Sequence, residues 1–200
     1  MLTHTAPALA RAAQQALHAV GGLPVVTDQD TTAIALTAAV LTAVTRADRT
    51  PSASTVVIAG TERMPGLCAL LIAVGVGDIV SWNKADAHAF PLYHVARGAD
   101  AVVDLLGGTR ELAEVAEHSR RTVIAPDNPA SHLLALPGLL TALVQTPEPV
   151  LDVALYRVCA LALAASTPPG RLLPDLTDPA VTDNIAHAAT HTLQHPRNHR

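Results

Sequence analysis

Thr55-Val56-Val57-Ile58-Ala59-Gly60-Thr61-Glu62-Arg63-Met64-Pro65-Gly66, followed by the apolar run Leu67 to Val74, decides the fold. The β-branched run predicts a buried strand over 55–59. Gly60 ends it, a short loop follows, and residues 66–74 predict a helix that stops at Gly75-Val76-Gly77. Strand, glycine turn and helix in this order make the layout of a dinucleotide-binding turn. Glycines there let the chain reverse tightly and let its backbone approach a pyrophosphate. Gly60 holds the first place of Gly-x-Gly-x-x-Gly, but the second is Glu62, whose carboxylate adds bulk and repels phosphate. Gly66 serves as the third glycine only with a one-residue shift. Pro65 removes an N–H near the helix start, although proline is tolerated in a first helical turn.

The same alternation extends in both directions. An Ala-rich helix is predicted over 5–20 and a long helix over 31–47, entered through Thr27-Asp28-Gln29-Asp30, whose side chains suit a helix N-terminus. Further strands are predicted at 78–82, 101–106 and 122–125, with a charged surface helix over 110–119. A helix starts near Leu133, and two more follow at about 150–165 and 178–193, joined by Pro168-Pro169-Gly170. Strands alternating with helices predict an α/β fold. We expect a Rossmann-like parallel sheet of about four to five strands in a three-layer αβα arrangement. All 200 residues read as a single domain: a helical segment 1–47, a sheet core 55–126, C-terminal helices 133–193 and a flexible tail 194–200.

Half of the residues are hydrophobic and only 2% aromatic, so the core must be built from Ala, Val, Leu and Ile. A formal charge of −4 with scattered basic residues argues against nucleic acid or an anionic membrane as partner. No signal peptide and no membrane-spanning run is visible. Cys68 and Cys159 sit in apolar helical patterns, which reads as buried thiols in a reducing cytoplasm rather than a disulfide.

Three stretches, in order and spacing, resemble the NAD(P)-binding domain of malic enzymes without their catalytic N-terminal part. They are Val25 to Ile34, where the family has Asp-Asp-x-x-Gly-Thr-Ala opening a long helix; the strand and turn at 55–60 with Val74 to Val80; and Asn128 to Gly138, ending Leu136-Pro137-Gly138. The tail Leu172-Leu173-Pro174-Asp175 with Asp178-Pro179 fits as well. The resemblance implies oxidation and decarboxylation of malate with a dinucleotide, a divalent metal, a general base and a general acid. Asp28 falls on a metal-binding aspartate of the family. Residues 1–26 hold no Asp or Glu for the other metal carboxylates and no Lys for the family's catalytic lysine. One carboxylate is a poor Mg²⁺ or Mn²⁺ site. A helix-cap reading of Asp28 is preferred, and no divalent metal is expected.

The turn makes Gly60, Thr61, Arg63 and Gly66 the candidate residues for NAD or NADP. Arg63 can pair with Glu62 or with a phosphate. Asn83, where the second strand ends, can bond a ribose hydroxyl, and Asn128 completes the set. Lys84, the only lysine, reads as a solvated loop residue. The family's substrate-binding asparagines fall on Ser131 and His132. Asp28, His132 and Tyr93 are the acid–base candidates for a repurposed pocket. His187, His191, His195 and His199 recur every four residues, a spacing that can hold a metal on a helix. No carboxylate or thiolate accompanies His187 and His191 on that face, and a polar tail is the preferred reading.

Two function classes follow. One is a protein of the malic enzyme type that binds a small ligand or a nucleotide weakly in the crevice at the strand carboxyl ends and does not oxidise malate. The other is a repurposed enzyme acting in that crevice, alone or with a separate catalytic partner subunit. Apolar helices at 5–20 and 31–47 point to a homodimer.

Overall fold

The computed structural model describes residues 1–2, 7–20, 24–108, 112, 122–126 and 131–195. The β-branched run at Thr55 forms strand β1 (Thr55–Ala59), pinned at its start by Asp100, which accepts from the Thr55 N–H at 2.9 Å and pairs with Arg49 at 3.3 Å. Strands β2 (Asp78–Trp82), β3 (Ala101–Asp104) and β4 (Thr122–Ile124) complete a four-stranded parallel sheet in the order β2-β1-β3-β4. Ala59 lies opposite Trp82 on one side and Asp104 on the other. The chain thus leaves β1 in one direction to form β2, then returns past it to form β3.

That reversal puts helices on both faces, because each parallel crossover is right-handed. Helix α3 (Gly66–Ala73), between β1 and β2, packs with Val56, Ile58, Ala101 and Val103. The short helix α4 (Leu92–Val95), between β2 and β3, lies on the opposite face with Val57, Ala59, Val102 and Trp82. Leu112 is helical and buried on that second face; the rest of the helix expected at 110–119 lies outside the described residues.

The first face carries the larger core. Helix α2 (Asp28–Arg46) is buried along most of its length and packs on β3, β4 and α3. A helix apolar all round belongs inside a core. Behind it lie α5 (Leu136–Gln145), α6 (Val153–Ala165) and α7 (Pro179–Gln194). Arg157 of α6 donates to the carbonyl of Ala73 at 2.8 Å and so caps α3. The Leu136-Pro137-Gly138 stretch has a packing role. A Cβ at Gly138 would lie 2.7 Å from the Thr182 carbonyl oxygen and 2.7 Å from Ile185 Cβ, so only glycine lets α5 lie this close to α7. No helix among the described residues is long and apolar enough to cross a membrane.

The N-terminal segment is tied to the core by one carboxylate. Helix α1 (Pro7–Ala19) follows Leu2, whose N–H and C=O bond to Val26 and Asp28. Thr27, not Asp28, caps α2, in a capping box with Asp30. Asp30 Oδ2 accepts from the Thr27 N–H (2.9 Å), the Thr27 hydroxyl (2.7 Å) and Gln14 Nε2 (2.8 Å), and the carboxylate also takes the Tyr156 hydroxyl from α6. Asp30 therefore joins α1, α2 and α6.

The structure also shifts several expected boundaries. β3 ends at Asp104 rather than 106, because Asp104 captures the N–H groups beyond it and turns the chain. The helix expected near Leu133 begins as a single 3₁₀ turn, Ser131–Leu133, before α5. α7 runs on to Gln194, and of the expected tail only residues 196–200 lie outside the described residues.

Two sets of variants, at glycines and at the Asp30–Tyr156 pair, test this packing by thermal unfolding. Gly138→Val should cost about 2–3 kcal/mol by overpacking, whereas Gly66→Ala, with nothing within 4 Å of the added Cβ, should leave Tm nearly unchanged. Asp30→Ala should cost about 2–3 kcal/mol through loss of the cap and its charge-assisted bonds. Tyr156→Phe should cost about 1 kcal/mol. The double variant should fall short of the sum, since both remove one shared bond.

Candidate functional site

In a parallel sheet the ligand crevice opens outside the strand carboxyl ends, where strand order reverses. Here that point lies between the loops after β1 and β3. Gly60 takes the left-handed region (φ 89°), which a residue with a Cβ rarely adopts, and donates to the Trp82 carbonyl at 2.7 Å. The chain then makes a 3₁₀ turn, Thr61–Arg63, before α3 begins. The Thr61 hydroxyl turns back to donate to the Ile58 carbonyl at 3.2 Å. The Arg63 guanidinium crosses to the other loop and donates to the carbonyls of Leu105 (3.0 Å) and Leu106 (3.3 Å).

The second loop is organised by Asp104, which is 2% exposed. Its carboxylate accepts the N–H groups of Leu106 (2.7 Å), Gly107 (3.1 Å) and Gly108 (2.7 Å). Gly107 and Gly108 permit this by taking φ of 84° and 73°. Leu106 is thereby held over the first loop: a Cβ at Gly60 would lie 2.7 Å from Leu106 Cδ2.

The structure therefore brings together Gly60, Thr61, Arg63 and Asn83, the last directly after Trp82, on one edge of the sheet. The Asn83 N–H donates to Asp86 at 2.9 Å, and its Oδ1 is buried without a hydrogen-bond partner among the described residues. Gly66 opens α3 beside them, while Asn128 lies outside the described residues. Of the acid–base candidates, Asp28 and Tyr93 lie on opposite faces of the sheet. Asp28 is the first residue of α2 on one face of the sheet. Tyr93 is on α4 on the other face, 46% exposed, with its ring centroid 3.9 Å from that of His94. His132 is half-buried in the turn packed on α2. His187 and His191 are exposed on α7, where His191 stacks on His195 at 4.8 Å. Among the described residues no three His, Cys, Asp or Glu side chains gather as a metal ion requires.

A cavity of about 390 Å³ lies next to this edge, where α2, α3 and α6 all begin. Asp30, Met64, Gly66, Leu70, Asp152 and Tyr156 are among the residues lining it. Asp152 is the N-cap of α6 and accepts the Leu155 N–H at 2.8 Å. Burial first, then the charge and hydrogen bond of Asp30, push the Tyr156 phenol far above its ordinary range, with smaller contributions from Cys159 and Asp152. Tyr156 is thus a fixed neutral donor and not a base. The buried Cys159 thiol is pushed up to about 12 by desolvation, which leaves it unreactive at neutral pH. Neither group is placed to take up a proton at neutral pH.

Three participants escape a linear reading. Asp104 looks like strand interior, set within Val102 to Leu106. Asp152 and Tyr156 carry a local signal, an N-cap with a second polar residue four positions on, but their partner Asp30 is more than a hundred residues away.

No known sequence family and no curated protein matches the chain by sequence. Its fold does match solved structures. The NAD-dependent malic enzyme of Thermotoga maritima superposes with a TM-score of 0.66 at 18% identity, over 84% of this chain and 59% of the enzyme. The malic enzyme of Pyrococcus horikoshii gives 0.69 at 14% identity, over 86% and 55%. A further structure, described as a malate oxidoreductase, gives 0.76 at 19% identity, over 94% and 65%. The chain spans little more than half to about two thirds of the length of these proteins. It has the Rossmann-like α/β fold of one part of the malic enzymes.

Proposed function

We propose that this chain is a ligand-binding module on the malic enzyme fold, one that does not oxidise malate. The observation that carries this reading is the cavity of about 390 Å³ at the converging starts of α2, α3 and α6. Its size is near the lower end of the range for small-molecule sites, about 300–1,000 Å³. It combines an apolar floor with the carboxylates of Asp30 and Asp152 and the Tyr156 hydroxyl. The acid–base candidates Asp28 and Tyr93 lie on opposite faces of the sheet, which argues against a proton-transfer site built from them. The free thiols of Cys68 and Cys159 suit a reducing compartment such as the cytoplasm.

A second reading is favoured by apolar side chains left in solvent. Leu9 and Leu17 on α1 and Leu140 and Val144 on α5 are 41–87% exposed. Apolar surface of this kind suits coverage by a second copy of the chain or by a separate catalytic subunit. In either assembly the ligand cavity is the same.

The test is calorimetry and thermal shift on the full chain with malate, Mn²⁺, NAD⁺, NADP⁺ and a library of small polar molecules. We expect no reduction of NAD⁺ or NADP⁺ in the presence of malate. We expect at least one small molecule to raise Tm, as any ligand of the native state alone must. Ala69→Trp, at an exposed position of the cavity wall, should abolish that rise while the free protein still melts near the wild-type temperature. A stabilising ligand whose effect survives Ala69→Trp does not sit in this cavity. Light scattering separates the assemblies: a dimer supports the second copy, and a monomer at high concentration removes it.

A further inference from the structure

We infer that the chain's own side chains fill the seat in which this fold would hold a dinucleotide pyrophosphate, with Arg63 latching the two rims of the crevice together. This rests on hydrogen bonds at the switch point and is independent of the cavity reading. A pyrophosphate at this place needs three things: bare backbone at the first glycine, unengaged N–H donors, and the start of a helix directly after the turn.

The first and third are absent, and on the first rim the second is reduced to the N–H groups of Thr61, Glu62 and Gly66, which have no acceptor among the described residues. The space above Gly60 is taken by Leu106, whose Cδ2 lies 2.7 Å from the position a Cβ would hold. On the first rim the N–H groups of Gly60, Arg63 and Met64 donate to the carbonyls of Trp82, Gly60 and Thr61. On the second rim the N–H groups of Leu106, Gly107 and Gly108 donate to Asp104. That arrangement is an anion nest already holding an anion, the buried Asp104 carboxylate. Between β1 and α3 the 3₁₀ turn Thr61–Arg63 intervenes, and the residue before α3 is Pro65, which has no N–H to offer.

Charge points the same way. Asp104 is buried at the carboxyl end of β3 and Glu62 is exposed on the first rim, so an incoming pyrophosphate meets two carboxylates. The one cation of the first rim, Arg63, is directed away from a phosphate role and onto the Leu105 and Leu106 carbonyls. Charge-assisted bonds of this kind are stronger than neutral ones. The residues present therefore do not fit NAD or NADP in the pose the fold implies. Arg63, Asp104 and Leu106 together make the crevice a closed internal contact.

Hydrogen exchange on the full chain, read by mass spectrometry with and without 1 mM NAD⁺, NADP⁺ or ADP, tests this. Without any nucleotide, the amides of 106–108 should already be protected, and none of the three compounds should add protection at 60–66 or 105–108. Arg63→Gln, at an exposed side chain, should speed exchange of 106–108 by about tenfold while α7 exchanges as in wild type. Asp104→Asn should speed it further; should that variant not fold, Arg63→Gln alone decides. Free exchange of 106–108 in wild type, added protection there on NAD⁺ or ADP, or an Arg63→Gln variant indistinguishable from wild type would each overturn the inference. A small molecule that binds the α2–α3–α6 cavity leaves it intact, and so does the absence of one.

Discussion

Everything else in this molecule is arranged around a helix that has no wet side. α2 lies between the sheet and the α5–α7 layer, with most of its residues buried. A core this poor in aromatic rings cannot fill space with a few large side chains, so it fills it with closely approaching backbones. Gly138, against Thr182 and Ile185, is one such approach. The start of α2 must then satisfy its orphan N–H groups from protein rather than water. Thr27 and Asp30 do so, and the same carboxylate binds Gln14 of α1 and Tyr156 of α6. A local demand of helix geometry thus becomes the joint at which three elements meet.

The sheet contributes the second constraint. Because the order is β2-β1-β3-β4, the loops after β1 and β3 face each other at the reversal of strand order. A ligand or protein atoms must fill the gap between them. In this chain Arg63 and Leu106 fill it from both sides, and a cavity lies one step away, lined by Met64, Gly66, Asp152 and Tyr156. The likeness to malic enzymes is therefore one of layout, while the chemistry at the strand ends is this chain's own.

How much of this was legible in the sequence depends on the distance over which each interaction acts. β1 and the Gly60 turn could be read because a β-branched run and a glycine act on their own neighbours. The Thr27–Asp30 helix entrance could be read for the same reason, although it is Thr27 and Asp30, not Asp28, that make the cap. The helix α4 is not legible because four residues show no periodicity. The end of β3 is not legible because Leu105 and Leu106 are apolar and nothing local announces that Asp104 captures the following amides. The separation of Tyr93 from Asp28 is not legible either, because it follows from the handed crossover from β2 to β3, which sends α4 to the opposite face. The grouping of Asp30 with Tyr156 exists only once the helices are packed.

The nest around Asp104 also alters how the fold responds to its surroundings. A domain whose crevice amides await a soluble anion is more stable when that anion is abundant and less so when it is scarce, because the stabilisation grows as the logarithm of one plus the ratio of anion concentration to its Kd. Here the anion is covalently part of the chain. Its effective concentration is set by the backbone and cannot be diluted or depleted. The amides of residues 106–108 are thus bonded to a group that no change in the supply of soluble anions can remove.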